Sequence, residues 1–383
     1  MDPLTHTLAG AALAETPLGR LGGLRRGLAT ATLLLAANLP DVDVSCYALG
    51  ADFALGQRRG WTHGVVAAAV LPLLLAGLLV GILWGAALLR GRERRTPVRA
   101  VPLLALSVIG VWSHPLLDWL NVYGVRLLAP FDWTWYYGDA VYIVDPWLWL
   151  LFGGPVFLIR SRSVKALVLW GLLAAGTGAL VLAAAPVAAR WVWTGALAAL
   201  VLLRLRARPG RPSPGRSGTR RSERFALAAL CAALVYIGAM VASAAAGQAL
   251  VRRALERRGE GPLRGVMVGP EATDPFRRQI VAETPEGYRV GRLRWLETPR
   301  LVFDERIIPY PVITPAVRAA LDAPSVAGFV EWMRFPTTRV EADGSGFTVH
   351  LIDVRYARRA HRGTDGFGTA TVRLGPDLEP IPR

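Results

Sequence analysis

Gly64-Val-Val-Ala-Ala-Ala-Val-Leu-Pro-Leu-Leu-Leu-Ala-Gly-Leu-Leu-Val-Gly-Ile-Leu-Trp-Gly-Ala-Ala-Leu-Leu89 carries no ionisable side chain. A helix needs about 20 apolar residues to cross the hydrocarbon core of a bilayer, and this run has more. Similar stretches follow near 100–120, 143–159, 164–185, 187–203 and 225–249, and two short ones precede it near 4–18 and 27–40. Six or seven membrane segments are therefore expected. The short pair cannot cross alone and is expected to form a hairpin dipping part-way into the bilayer, packed against the other helices. Over its 383 residues the chain is 53% hydrophobic with positive mean hydropathy, more than a soluble core of this size needs.

The formal charge of +16 raises the question of nucleic acid, but the arginines crowd into short segments between apolar runs. That is a topology signal, and no nucleic-acid partner is expected. Arg90 to Arg99, Arg160 to Lys165 and Arg204 to Arg224 are the basic loops. If basic loops face the cytoplasm, the segments thread without exception and the tail from Leu250 onward lies outside it. The expected location is a prokaryotic inner membrane, crossed several times. No signal peptide is read at the N-terminus, where Asp2 and His6 precede only a short apolar run. Cys46 and Cys231 make no disulfide framework and are weak catalytic candidates.

The expected organisation is a membrane helical domain over 1–203, a Pro/Gly/Ser-rich cytoplasmic linker over 204–224 and an anchor helix over 225–250. A β-rich extracytoplasmic domain follows over 262–383. Tyr288-Arg-Val-Gly-Arg-Leu-Arg-Trp295 and Phe347-Thr-Val-His-Leu-Ile-Asp-Val-Arg-Tyr356 alternate as strands do, and a helix is expected near 314–333. The fold class is thus an α-helical polytopic membrane protein with a C-terminal α+β domain.

Ionisable residues in or beside membrane segments cost free energy and need a reason. They fall in four places: His6; Asp41 and Asp43 in Asn38-Leu-Pro-Asp-Val-Asp43; Arg59 and His63 in Arg58-Arg-Gly-Trp-Thr-His63; and His114 and Asp118 in Ser113-His-Pro-Leu-Leu-Asp-Trp-Leu-Asn121. His114 and Asp118 are four apart and share a helix face. By the threading above, Asp41, His63, Asp118 and Asp145 all reach the outer membrane face. Imidazole with carboxylate suits Zn²⁺, or Mn²⁺ and Mg²⁺ with more oxygen, and such an ion acidifies bound water. His6, Asp41, His63, His114 and Asp118 are therefore the candidate ligands. Asp41 or Asp43 is the candidate general base, and Arg59 the candidate holder of an anionic group. Each has a plainer reading: Asp41 and Asp145 as helix caps, Asp118 as a partner of Arg126, Arg59 as a surface anchor, and Trp133, Trp135, Tyr136 and Tyr137 as an interfacial belt.

As a set, Met1-Asp-Pro-Leu-Thr-His6, Pro40-Asp-Val-Asp43, Arg59-Gly-Trp-Thr-His63, Ser113-His-Pro-Leu-Leu-Asp-Trp-Leu-Asn-Val-Tyr-Gly124 and Ile143-Val-Asp-Pro-Trp147 resemble the membrane-bound metal-dependent hydrolases of the YdjM-like family. The tail looks similar to the extra domain of longer members. The resemblance implies a metal, a hydrolase activity and a distant likeness to zinc-dependent phospholipase C, and no particular substrate. The chain departs from the family motif at Arg58, where a His often precedes the Arg-Gly pair, and at Gly64, where Ser is usual.

Three functions follow as expectations. The first is hydrolysis, from the outer leaflet, of an ester or phosphoester in a lipid or lipid-linked molecule. The second is membrane assembly or sensing with a purely structural metal. The third, a transporter, lacks the paired Gly/Pro-broken helices such folds use.

Overall fold

The computed structural model describes residues 1–89, 99–206, 216–342, 344–356 and 367–381. Its helices in chain order are α1 (Pro3–Ala14), α2 (Arg26–Asn38), α3 (Ala51–Gln57), α4 (Val65–Leu89), α5 (Ala100–Trp119), α6 (Pro146–Arg160), α7 (Val164–Ala184), α8 (Val187–Arg206), α9 (Arg216–Arg257), α10 (Pro315–Leu321) and α11 (Ala327–Trp332). Two compact units result. Met1–Val42, Arg59–Ser243 and Pro270–Pro275 form the helical unit, and Asp43–Arg58, Ala244–Gly269 and Phe276–Arg383 form the second.

In the helical unit α4, α5, α7, α8 and most of α9 are long and apolar enough to cross a membrane. The run near 143–159 yields the shorter α6, which Asp145 caps by accepting from Trp147 N at 2.9 Å and Leu148 N at 3.2 Å. On α4 the side chains of Leu73, Leu74, Leu78 and Ile82 stand exposed, as a helix surrounded by lipid requires. The short α1 and α2 each bury one face against neighbouring helices. α2 packs against both α1 and α5, and α1 against α6. Small residues make this close approach possible: a Cβ on Gly110 would stand 2.4 Å from Ala36 Cβ, and one on Gly10 would stand 2.8 Å from the Leu33 carbonyl oxygen.

One end of this unit is rich in arginine. Glu15, at the end of α1, pairs with Arg26 and Arg160, and Glu223 pairs with Arg26 at 2.7 Å. Arg99 donates to the Gly22 carbonyl, and Arg204 to the Ser161 carbonyl at 2.7 Å. The described parts of all three basic loops thus meet at one end of the helices. Most of the loop at 90–99 and residues 207–215 of the expected linker lie outside the described residues. Where described, the linker is helical: Arg204–Arg206 close α8, and α9 starts at Arg216 and runs on to Arg257, past both bounds expected for the anchor. Glu223, through its ion pairs with Arg20 and Arg26, ties the early part of α9 to the unit.

The second unit holds two antiparallel sheets. The first has order β1 (Val266–Glu271), β2 (Asp274–Thr284), β3 (Gly287–Arg294), β4 (Leu301–Phe303), and the second β5 (Pro336–Ala342), β6 (Phe347–Asp353), β7 (Thr369–Leu374). Val251 and Leu255 of α9 share a core with Val268, Ile280 and Leu293. Of the alternating stretches singled out in the sequence, the first is strand to Arg294 and the second to Asp353, where Val354–Tyr356 turn into a 3-10 helix, and the helix expected near 314–333 is divided. α10 stops at Leu321, and Pro324, which disfavours helix at the preceding residue, opens a 3-10 turn before α11.

Candidate metal centre

The four sequence clusters come from elements that all begin or end at the end of the helical unit opposite the arginines. α1 starts there and α2 ends there, α4 starts there and α5 ends there. Asp2 caps α1 through Thr5 N at 3.0 Å and also accepts from Trp149 Nε1 of α6 at 3.2 Å. This anchors the turn that carries His6.

Donor atoms of Asp41, His63, His114 and Asp118 all lie within 4.8 Å of one another, three of the four residues being buried. His63 Nε2 is 3.3 Å from Asp118 Oδ2, His114 Nε2 is 3.6 Å from the same oxygen, and His114 Nε2 is 3.7 Å from Asp41 Oδ1. Donors placed tetrahedrally about 2.1 Å from one ion are separated by roughly 3.4 Å, so these spacings suit a shared cation.

The hydrogen-bond pattern agrees. His114 Nδ1 sits 2.6 Å from the Ala37 carbonyl, which can only accept, so Nδ1 carries the proton and the Nε2 lone pair faces the cluster. His114 Nε2 and Asp118 Oδ2 are buried without a hydrogen bond. Left so, the His114 nitrogen costs about 1–3 kcal/mol, while the Asp118 oxygen has Arg59 Nε 2.8 Å away, and a metal would satisfy the nitrogen and share the oxygen. His63 Nδ1 is 2.9 Å from Thr62 Oγ1, which leaves its Nε2 for the cluster. The residues fit a divalent ion.

His6, the fifth candidate ligand, lies beside the four-donor group rather than in it. Its ring stacks on His114 with centroids 3.6 Å apart, and its Nε2 lies 3.3 Å from Asp118 Oδ1, the oxygen turned away from the other two imidazoles. The amino nitrogen of Met1 contacts the same oxygen.

Arg59 holds Asp118 side-on, Nη2 donating to Oδ1 at 3.0 Å with Nε 2.8 Å from Oδ2. It also donates to Asn121 Oδ1 at 3.2 Å and the Gly124 carbonyl at 3.1 Å, and lies over the Tyr123 ring at 4.5 Å. Its backbone has φ +54, a strained conformation for a residue with a Cβ, and Arg126 N donates to its carbonyl at 2.9 Å. Arg59 is thus a guanidinium partner of Asp118. Arg126 lies over Trp133 and Trp135 at 4.9 and 4.4 Å. The aromatic residues expected as a belt are half-buried, Trp133 and Trp135 against the Arg126 guanidinium, and the exposed Trp61 meets Trp133 edge-on at 5.5 Å.

Asp43 belongs to the second unit, where its Oδ1 lies 3.8 Å from Arg58 Nη2, and Asp145 serves as the α6 cap and accepts from Tyr236 OH at 2.8 Å. At Gly64 a Cβ would stand 2.2 Å from the Ala129 carbonyl oxygen, so this departure from the family motif reflects packing that leaves no room for Ser. Sequence reasoning missed Asn121 as a functional residue. Its Oδ1 bridges Arg59 and Tyr123 N, and its signal was its place three residues beyond Asp118 in the same motif.

No curated protein and no solved structure matches the chain. A family model described as YdjM inner membrane protein matches residues 1–192, a span that includes all four clustered donors. With half of its length matched, the chain belongs to the YdjM inner membrane protein family.

Proposed function

We propose that the centre is the active site of a metal-dependent hydrolase that acts, from the outer face of the membrane, on an ester or phosphoester of a lipid or lipid-linked molecule. The observation that carries this reading is the convergence of donors from Asp41, His63, His114 and Asp118 within 4.8 Å of one another, with the buried His114 Nε2 lacking a hydrogen bond. When bound, a divalent ion supplies Lewis acidity and lowers the pKa of a coordinated water toward about 7. Zinc suits two imidazoles and two carboxylates best, with Mn²⁺ or Mg²⁺ as alternatives.

The chain's own residues have separable tasks. His63, His114, Asp41 and Asp118 would hold the ion. Arg59 orients Asp118 and balances its charge, a fuller engagement than an anion holder waiting for substrate would have. Asp41, whose side chain is 16% exposed against 0% for His114 and Asp118, marks the side from which water and substrate enter. The exposed Trp61 and Phe131 offer apolar surface to an amphiphile. The outward orientation rests on the positive-inside rule, because Arg99, Arg160 and Arg204 gather at the opposite end.

Four protein donors also favour a second reading, because they complete a tetrahedral shell with no open position, as in structural zinc sites. Chelation of the purified, zinc-loaded protein separates the two. The hydrolase reading expects turnover of a phosphodiester or ester panel that stops on chelation and returns with Zn²⁺ or Mn²⁺ while the helices stay folded. The structural reading expects no turnover and a sharp fall in melting temperature. For orientation, single cysteines are introduced in place of Ser163 or Ser325, both exposed, with Cys46 and Cys231 replaced by Ala. An impermeant thiol reagent on intact cells should label position 325 and spare 163. The reverse pattern would place the centre inside.

A further inference from the structure

Between α1, α6, α7 and α8, all parts of the helical unit, lies a cavity of about 220 Å³. No charged side chain lines it, and its walls include Leu8, Trp149, Phe157, Gly171, Trp193 and Val201. Glycines make the room. A Cβ on Gly171 would meet nothing within 4 Å, and one on Gly154 would still stand 3.4 Å from the Leu200 side chain. Leu4 and Leu8 face the cavity from two residues either side of His6, so it lies across α1 from the metal centre. One wall residue is polar and unmatched. Trp193 is 2% exposed, and among the described residues its Nε1 has no hydrogen-bond partner. A Cβ on Gly178 of α7 would stand 3.8 Å from that nitrogen, so glycine there leaves the approach to the N–H clear. Thr177, next to Gly178, donates its own hydroxyl to the Leu173 carbonyl at 2.8 Å.

α7 and α8 are long and apolar enough to cross the membrane, so the medium at this depth is hydrocarbon, with no water to satisfy the N–H. A donor left bare there is costly. The occupant that answers both facts is apolar along its length and carries an acceptor at one end. The shape agrees. Trp149 and Phe157 on α6 are eight positions apart, as are Trp193 and Val201 on α8, about 12 Å by helical rise and most of the depth of one leaflet of a core about 30 Å thick. Both helices run toward the arginine end, where Arg160 and Arg204 lie, so Trp149 and Trp193 stand at the end of the cavity nearer the metal centre. We propose that the cavity binds one acyl chain of a membrane glycerolipid, whose ester carbonyl accepts from Trp193 Nε1 while the chain runs toward the arginines. This site is distinct from the metal centre, and it stands whether or not that centre hydrolyses anything.

The test uses the full chain in vesicles of phosphatidylethanolamine and phosphatidylglycerol, with a tracer phosphatidylethanolamine that carries a diazirine midway along one ester-linked chain. Irradiation and peptide mapping should place label on Phe157, Leu200 and their neighbours well above that on Leu73 and Leu78 of α4, which stand exposed to any surrounding lipid. An ether-linked tracer lacks the carbonyl and should label the cavity roughly fivefold less well, the scale of one lost neutral hydrogen bond. Trp193→Phe keeps the ring, loses the N–H and should erase that difference. Gly171→Leu places its side chain in open space and should bring cavity labelling down to the α4 level with helical content unchanged. Cavity label no stronger than that on α4, or ester and ether tracers that label the native chain alike, would overturn the proposal. So would two variants that both keep the native labelling and its ester preference, or cross-links showing that a second copy of the chain fills the cavity.

Discussion

At one end of the helical unit Glu15 is almost fully buried, yet it faces Arg26 at 3.0 Å and Arg160 besides, and Glu223 faces Arg26 at 2.7 Å. At the other end Asp118 and His114 are equally buried, but His114 Nε2 carries no hydrogen bond, and Asp118 Oδ2, besides its pairing with Arg59, faces the Nε2 atoms of His63 and His114. Both ends remove carboxylates from water, and such removal is expensive unless each charge is matched. The arginine end matches its charges with side chains of its own. The His/Asp end has Arg59 to set against Asp118, and it gathers imidazole lone pairs that a guanidinium cannot use. The difference teaches that buried polarity alone does not mark a functional site. The mark is a cluster whose unmet acceptors converge on one point.

Breaking the comparison should cost most at the His/Asp end. Asp118→Ala strands the buried Arg59 without its partner, so melting in detergent should report a loss of about 3–5 kcal/mol, and zinc content should fall to background. Next comes Gly110→Ala, which forces a Cβ against Ala36 and the Ala37 backbone. Overpacking of this kind costs about 1–3 kcal/mol, and displacing the Ala37 carbonyl that fixes His114 should also weaken zinc binding in a competition titration. Glu15→Gln sharpens the contrast. Arg26 and Arg160 are partly exposed and can turn to water, so the expected loss is about 1–2 kcal/mol with zinc content unchanged. Smallest in stability is Asn121→Ala, which removes an orienting acceptor from Arg59 and should lower zinc affinity about tenfold while the melting temperature stays within a few degrees.

Much of this was legible in the sequence where a single rule dominated. Val65–Leu89 and Ala100–Trp119 fall within a residue of their expected bounds, because a long apolar run in lipid must satisfy its backbone within itself. The convergence of Asp41, His63, His114 and Asp118 followed from helix polarity, since every one of them lies at the same end of its segment. What was illegible depends on contacts between distant residues. The arginine- and serine-rich stretch from Arg216 reads locally as linker, and it is helical with Glu223 paired to Arg26. The pairing of Arg59 with Asp118 joins residues 59 positions apart, at a positive φ that no sequence pattern announces. The grouping of residues 43–58 with the C-terminal domain depends on Gly328, 276 positions beyond Asp52.

The central claim is that the unmet acceptors at the His/Asp end exist to hold a cation. Elemental analysis of the purified full chain after equilibration with Zn²⁺ tests it directly, run beside His114→Ala and Glu15→Gln and repeated at lower pH. The account predicts about one zinc per native chain and per Glu15→Gln chain, none for His114→Ala, and loss of zinc as acid protonates the imidazoles. A native chain free of zinc, manganese and magnesium, or full zinc occupancy in His114→Ala, would contradict it.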